Sequence, residues 1–174
     1  RLTDGSIACE LRLTRVSVNA SARLGHDAAS LDHLVSSIRL CAAAELVGLG
    51  QRLLDDTLAF VKEREQFGVA IGTFQALQHR LVEAYARLEQ SRSMLYRAAL
   101  SDETSPTEWA RATAGAKAFI SENVDAIGRE AVQMHGGMGI TDELAIGHAL
   151  KRAMVLARLF GDVESALAEY AEAA

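Results

Sequence analysis

The chain has 174 residues, enough for one domain with a substantial core. Apolar residues make up 49%, aromatics 5%, and Pro106 is the single proline, so good helix formers with almost no breakers point to an all-α domain. The net charge of −5 is modest and the basic residues are scattered among acidic ones, which leaves no footprint for nucleic acid.

Residues 7–18 alternate apolar and polar. Ile7, Cys9, Leu11 and Leu13 share one face, and Val16 and Val18 continue after a one-residue slip. This pattern predicts a strand with a bulge or bend. A strand cannot stand alone, and its sheet is expected upstream of Arg1. The absence of an initial methionine agrees with a fragment of something longer. Asn19 to Asp32 is polar and reads as a connection.

From about Leu31 the period becomes helical. Leu34, Ile38, Cys41, Ala42, Glu45, Leu49, Leu53, Leu58 and Val61 recur at three- and four-residue steps. The run is expected to end at Gly68 as a C-terminal glycine. A helix of this length extends on the order of 50 Å. A second helix is expected from Thr73, as N-cap, to Leu100. Ser105-Pro106-Thr107-Glu108 predicts the start of a third, with Ser105 as N-cap, Pro106 in the first turn and Glu108 closing a capping box. That helix runs to about His135 and stops at Gly136-Gly137. A fourth spans Thr141 to Phe160, and a short fifth Val163 to Ala173.

Four long helices on short loops define an antiparallel four-helix bundle, preceded by a short β-strand segment. The division is 1–30 for the strand and linker and 31–174 for the bundle. Helices apolar on more than one face predict self-association or a partner subunit. Cys9 and Cys41 fall in segments of different type, which favours a reduced, cytoplasmic setting. No apolar run of roughly 18–20 residues is expected to cross a bilayer. The five histidines are His26, His33, His79, His135 and His148. None follows a Glu at three residues, so a di-metal carboxylate bundle is discarded and no metal site is expected.

Two motifs carry chemistry. The first is Arg64-Glu65-Gln66-Phe67-Gly68, followed by Phe74-Gln75-Ala76-Leu77-Gln78-His79. A guanidinium fork suits phosphate oxygens, although a cation near a helix C-terminus is also favoured by the dipole alone. The second is Gln133-Met134-His135-Gly136-Gly137-Met138-Gly139-Ile140-Thr141. Its glycines let backbone N–H groups approach a phosphate or an adenine, although a Gly-Gly pair also serves as a simple C-cap and turn. His135 reads as a packing or capping residue.

In that order and spacing, the two motifs resemble the C-terminal half of the acyl-CoA dehydrogenase family. The resemblance covers residues 7–170. It implies a flavoprotein of fatty acid or lipid catabolism that oxidises an acyl-CoA to the 2,3-enoyl-CoA, with FAD as cofactor. It implies an FAD contact from Arg64, Gln66, Phe67, Gln133, Gly136 and Gly137, on a flavin bound mainly by a neighbouring subunit. It also implies a homo- or hetero-oligomer, dimer or tetramer, and an electron-transfer flavoprotein as acceptor.

Desaturation requires a base for the α-proton. In most of the family this is a Glu after the fourth helix, and here Gly161 stands at that place. A minority places it on the first helix, where Ile38 stands. Three readings stay open. Asp162 swings in; Glu45, two turns beyond Ile38 and paired with Arg39 or Arg92 if it is merely structural, serves instead; or the chain lacks a base. The last would resemble the small subunits of two-subunit bacterial acyl-CoA dehydrogenases, which complete the FAD site for a catalytic partner. The isolated fragment is expected to be inactive. A purely structural assembly module is the alternative of a different class.

Overall fold

Residues 1–23 and 28–172 are described by the computed structural model of the chain, with side chains from residue 30 onward in the first helix. His26 and Ala173 lie outside them. The elements in chain order are α1 (Ala28–Glu63), a small hairpin of β1 (Glu65–Gln66) and β2 (Val69–Ala70), α2 (Gln75–Ala99), α3 (Pro106–His135), α4 (Ala145–Arg158) and α5 (Val163–Glu172). The all-α architecture expected from composition is what forms.

The strand expected over residues 7–18 is a correction. That segment carries no ladder, and Ile7, Leu11, Leu13, Val16 and Val18 are exposed. Alternation sets which way side chains point, but a strand needs a neighbour for its backbone groups, and none is present among the described residues.

The first helix ends at Glu63, five residues before Gly68. The chain then reverses through β1 and β2, with Glu65 paired to Ala70 and Gln66 to Val69. Phe67 and Gly68 form the two-residue loop, at φ 56° and 82°. Positive φ at both central positions is the type I′ geometry that matches strand twist. Gly68 therefore supplies a hairpin turn rather than a helix cap.

Other boundaries shift for local reasons. Phe74, not Thr73, occupies the N-cap of α2, while the Thr73 hydroxyl donates to the Ala70 carbonyl. Ser105 does precede Pro106 at the start of α3, but its side chain makes no capping bond. The fourth helix begins at Ala145 rather than Thr141. Gly136–Ile140 forms a 3-10 turn, and the Thr141 hydroxyl closes it on the Met138 carbonyl.

Helix α3 is the axis of the domain and packs against each of the other four helices. Its run of Ala114, Gly115, Ala116 and Ala118 lets neighbours approach closely, and Leu46, Leu53, Leu88, Ile120 and Ile127 fill the core. Each such side chain contributes about 1.5–3 kcal/mol through burial. By length and composition, Ser30–Glu63 is long and apolar enough to cross a membrane, a run the sequence analysis does not anticipate. A core helix passes the same test, and α1 buries Ala43, Leu46, Leu53 and Val61 in the protein.

Two aromatic contacts fix the direction of α1 against α3. His33 stacks on Trp109 near both N-termini, at 5.8 Å between centroids. Phe60 stacks on His135 near both C-termini, at 4.2 Å. The two helices therefore run parallel, in register over their length.

Candidate functional site

Because α1 and α3 are parallel, the segments that follow them emerge at the same end of the bundle. One is Arg64 with the β1–β2 hairpin, and the other is Gln133 with the glycine turn. Arg64 is exposed and, among the described residues, its guanidinium has no ion-pair or hydrogen-bond partner; only its backbone is engaged, with Phe60 and Ile71. Gln66 is exposed, and its side chain donates to the neighbouring Glu65 carbonyl and to no other group among the described residues. Phe67 is 92% exposed and sits at positive φ, touching Phe74 edge-on at 6.1 Å. A bulky residue in that backbone region is strained, and strain of this kind clusters where function needs it.

The glycines of the second motif differ among themselves. At Gly136 and Gly137 a Cβ would meet nothing within 4 Å, so their backbone faces open space. At Gly139 a Cβ would stand 2.6 Å from the Val132 carbonyl oxygen, so this glycine serves packing. His135 is buried, stacked on Phe60 and hydrogen-bonded at Nδ1 to the Ala131 carbonyl at 2.7 Å, the packing role its sequence context suggests. A shallow apolar cleft bounded by Leu58, Val61, Ala70, Gly72 and Leu81 lies beside the hairpin. A free cation, an exposed aromatic ring and an unobstructed glycine backbone fit the phosphates and rings of a dinucleotide such as FAD.

The positions considered for a base lie toward the other end, near the α4–α5 turn. From residue 39 to residue 60, α1 rises roughly 30 Å. Gly161 adopts φ +105°, and a Cβ there would stand 3.2 Å from Arg39 Nη2. Asp162 is already engaged. Its carboxylate accepts the Ser165 amide at 2.9 Å and the Ser165 hydroxyl at 2.6 Å, so it caps α5. Those bonds hold its pKa below the usual carboxylate value.

Glu45 is partly exposed and pairs with neither Arg39 nor Arg92. It receives Arg152, with Nε to Oε1 at 2.7 Å and Nη2 to Oε2 at 3.1 Å. Arg152 reaches Asp4 with Nη1 at 3.0 Å. The Glu45 and Asp4 carboxylates raise the pKa of Arg152 further. Asp4 is lowered to about 2, first by its bonds to Ser6 and then by Arg152. Both Glu45 carboxylate oxygens are therefore occupied by the Arg152 fork.

One buried group escapes the sequence analysis. Lys117 on α3 is fully buried, and its ammonium donates to the carbonyls of Ala157 at 3.0 Å and Gly161 at 3.2 Å. Its pKa is lowered to about 8, chiefly by burial and then by the Arg39 charge, with Asp162 opposing both. A single lysine inside the run Ala114 to Ile120 was the available signal. Arg39, also nine-tenths buried, donates from Nε to the Phe160 carbonyl at 2.6 Å and from Nη1 to Glu169 at 2.5 Å.

The geometry describes a helical bundle with a motif-bearing end and a clamped turn. The family model for the acyl-CoA dehydrogenase C-terminal domain matches residues 28–174, and the chain belongs to the acyl-CoA dehydrogenase family as its C-terminal helical domain. It is 38% identical over 150 residues to acyl-CoA dehydrogenase IpdE2 of Mycolicibacterium smegmatis, a match over 86% of this chain and 45% of that protein. The structure of the prolyl acyl carrier protein oxidase AnaB superposes with a TM-score of 0.83 and 29% identity, covering 92% of this chain and 43% of that one. A variant of the Tcur3481-Tcur3483 steroid ACAD superposes with a TM-score of 0.78 and 27% identity, covering 84% and 40%. The chain spans less than half the length of each of these proteins.

Proposed function

We propose that the complete protein binds FAD and acts on an acyl-CoA thioester, as oxidoreductase or as part of one, with this chain completing the cofactor site across a subunit interface. The observation that carries this reading is that the segment bearing Arg64, Gln66 and Phe67 and the segment bearing Gln133, Gly136 and Gly137 emerge at the same end of two parallel helices. Arg64 would pair with the pyrophosphate. The backbone of Gly136 and Gly137 would approach it without a side chain in the way. Phe67 and Gln66 would border the rings. FAD, when bound, accepts the hydride that leaves the substrate β-carbon. The α4–α5 turn, roughly 30 Å along the bundle from Phe60, would border an acyl group at a separate place. Two such places on one chain favour shared sites in a dimer or tetramer, with an electron-transfer flavoprotein as acceptor.

A second reading has specific support. Gly161 holds a positive φ that disfavours any side chain and stands close to Arg39, Asp162 caps α5 and Glu45 is held by Arg152. These engagements favour a base-deficient subunit whose partner removes the α-proton.

The test is anaerobic flavin bleaching by a panel of acyl-CoAs, with full-length protein purified with FAD. Bleaching by the protein alone would mean that it carries its own base. A yellow protein that bleaches only with its catalytic partner supports the base-deficient subunit. A protein that stays colourless when given FAD would overturn the cofactor role.

A further inference from the structure

We propose that Arg39 and Lys117 are positioning residues that together clamp the Phe160–Asp162 turn as a fixed wall for the acyl group, a role that rests on the dehydrogenase reading above.

Two cations from different helices converge on one turn. Arg39 of α1 takes the Phe160 carbonyl, and Lys117 of α3 takes those of Ala157 and Gly161. The turn itself is strained, with Phe160 at φ 60° and Gly161 at 105° in succession. An aromatic residue stays at positive φ only where its surroundings over-determine it. The clamp supplies that determination from two sides.

The clamp is also a costly way to fill a core. Burying an ammonium demands full hydrogen bonding, and apolar residues of similar volume often serve stability as well or better. Lys117 lies among Ala114, Ala116, Ala118 and Ile120, where an apolar side chain would pack naturally. What lysine adds there is direction: it fixes two carbonyls that no apolar group could hold. Arg39 is tied in turn to Glu169 of α5, so both helices flanking the turn are engaged.

The experiment uses the full-length holoprotein, with its catalytic partner if bleaching requires one. Lys117→Met removes the donor. Arg39→Lys keeps the charge and removes the fork, and serves if the first variant does not fold. Three quantities are read: FAD per chain, amide exchange over residues 157–163, and kcat and KM for the straight-chain acyl-CoA that bleaches the wild-type flavin fastest. Unchanged FAD content is expected, because the flavin contacts lie at the other end of the bundle. Amide exchange is expected to rise about tenfold or more as the turn loosens. KM is expected to rise about tenfold, with a smaller change in kcat. Wild-type exchange in a folded variant would overturn the clamp. Faster exchange with unchanged KM would overturn its acyl role. A wild type that retains FAD yet bleaches with no acyl-CoA, even with its partner, would sink the dehydrogenase reading and the acyl role with it, while the exchange result still decides the clamp.

Discussion

The Phe60 ring lies on the His135 imidazole with centroids 4.2 Å apart and planes inclined by 23°. Phe60 precedes Arg64 by one helical turn, and His135 immediately precedes Gly136. The stack therefore joins the two motif-bearing segments directly. Phe60→Ala should cost about 2–3 kcal/mol in urea unfolding, since the ring is only partly buried, and should lower FAD retention as well. Loss of stability with FAD retention intact would separate the stack from the site.

Arg64 and Gly137 allow a cleaner dissection. Both are exposed, and neither carries a packing role. Arg64→Ala and Gly137→Ala should each change stability by less than about 0.5 kcal/mol. Each should nevertheless weaken FAD binding by full-length protein, measured by flavin fluorescence titration. For Arg64 the loss should be about 1.5–3 kcal/mol, the size of a charge-assisted bond.

Gly139→Ala serves as the opposite control. Its new methyl would meet the Val132 carbonyl oxygen at 2.6 Å. A loss of about 1–3 kcal/mol in stability is expected from the forced shift of backbone. If Gly137→Ala proved as destabilising as Gly139→Ala, the open cradle would be misdescribed.

Restoring a glutamate at position 161 should not restore a base. Gly161→Glu must adopt φ +105° and place its Cβ against the Arg39 guanidinium. A stability loss of about 1–3 kcal/mol is expected. The full-length variant assayed alone should bleach no faster than wild type. Acceleration of bleaching by this single change would show that the turn accommodates a carboxylate after all.

Lys117 makes stability depend on pH. Its folded pKa is about 8 against an ordinary 10.5, because burial and then the Arg39 charge disfavour the ammonium more than Asp162 favours it. Between those values the unfolded chain holds a proton that the folded chain has released. Unfolding free energy from this group should therefore rise with pH from about 8 to 10.5, by on the order of 1 kcal/mol per pH unit, and stay level below 8. Urea unfolding of wild type and Lys117→Met at pH 7.5 and 9.5 checks this, and the variant should lack the increment.

Much of the domain is legible in the residues. Helical periodicity is local, so α1, α2, α3 and α5 are readable within a few residues of their ends. Ser105-Pro106 marks the start of α3 because proline's fixed φ suits a first turn. Glycine signals are less decisive. Gly68 reads in the sequence as a helix cap, and only the pairing of β1 with β2 makes it a hairpin turn. The alternation over residues 7–18 is as regular as that of many strands, yet pairing depends on a neighbour that periodicity does not encode.

The sequence by itself determined the all-α class, the order of the helices and the two motifs, because each depends on residues close together in the chain. Tertiary structure alone decided where those motifs meet. Parallel packing of α1 and α3 brings Arg64 and the glycine turn to the same end of the bundle, through contacts such as Phe60 with His135. It also decided the fate of the charges. Glu45 finds Arg152, and Lys117 and Arg39 find the turn beyond α4, partners more than forty positions away. Burial and charge pairing are settled by distance in space, which a linear order of residues does not contain.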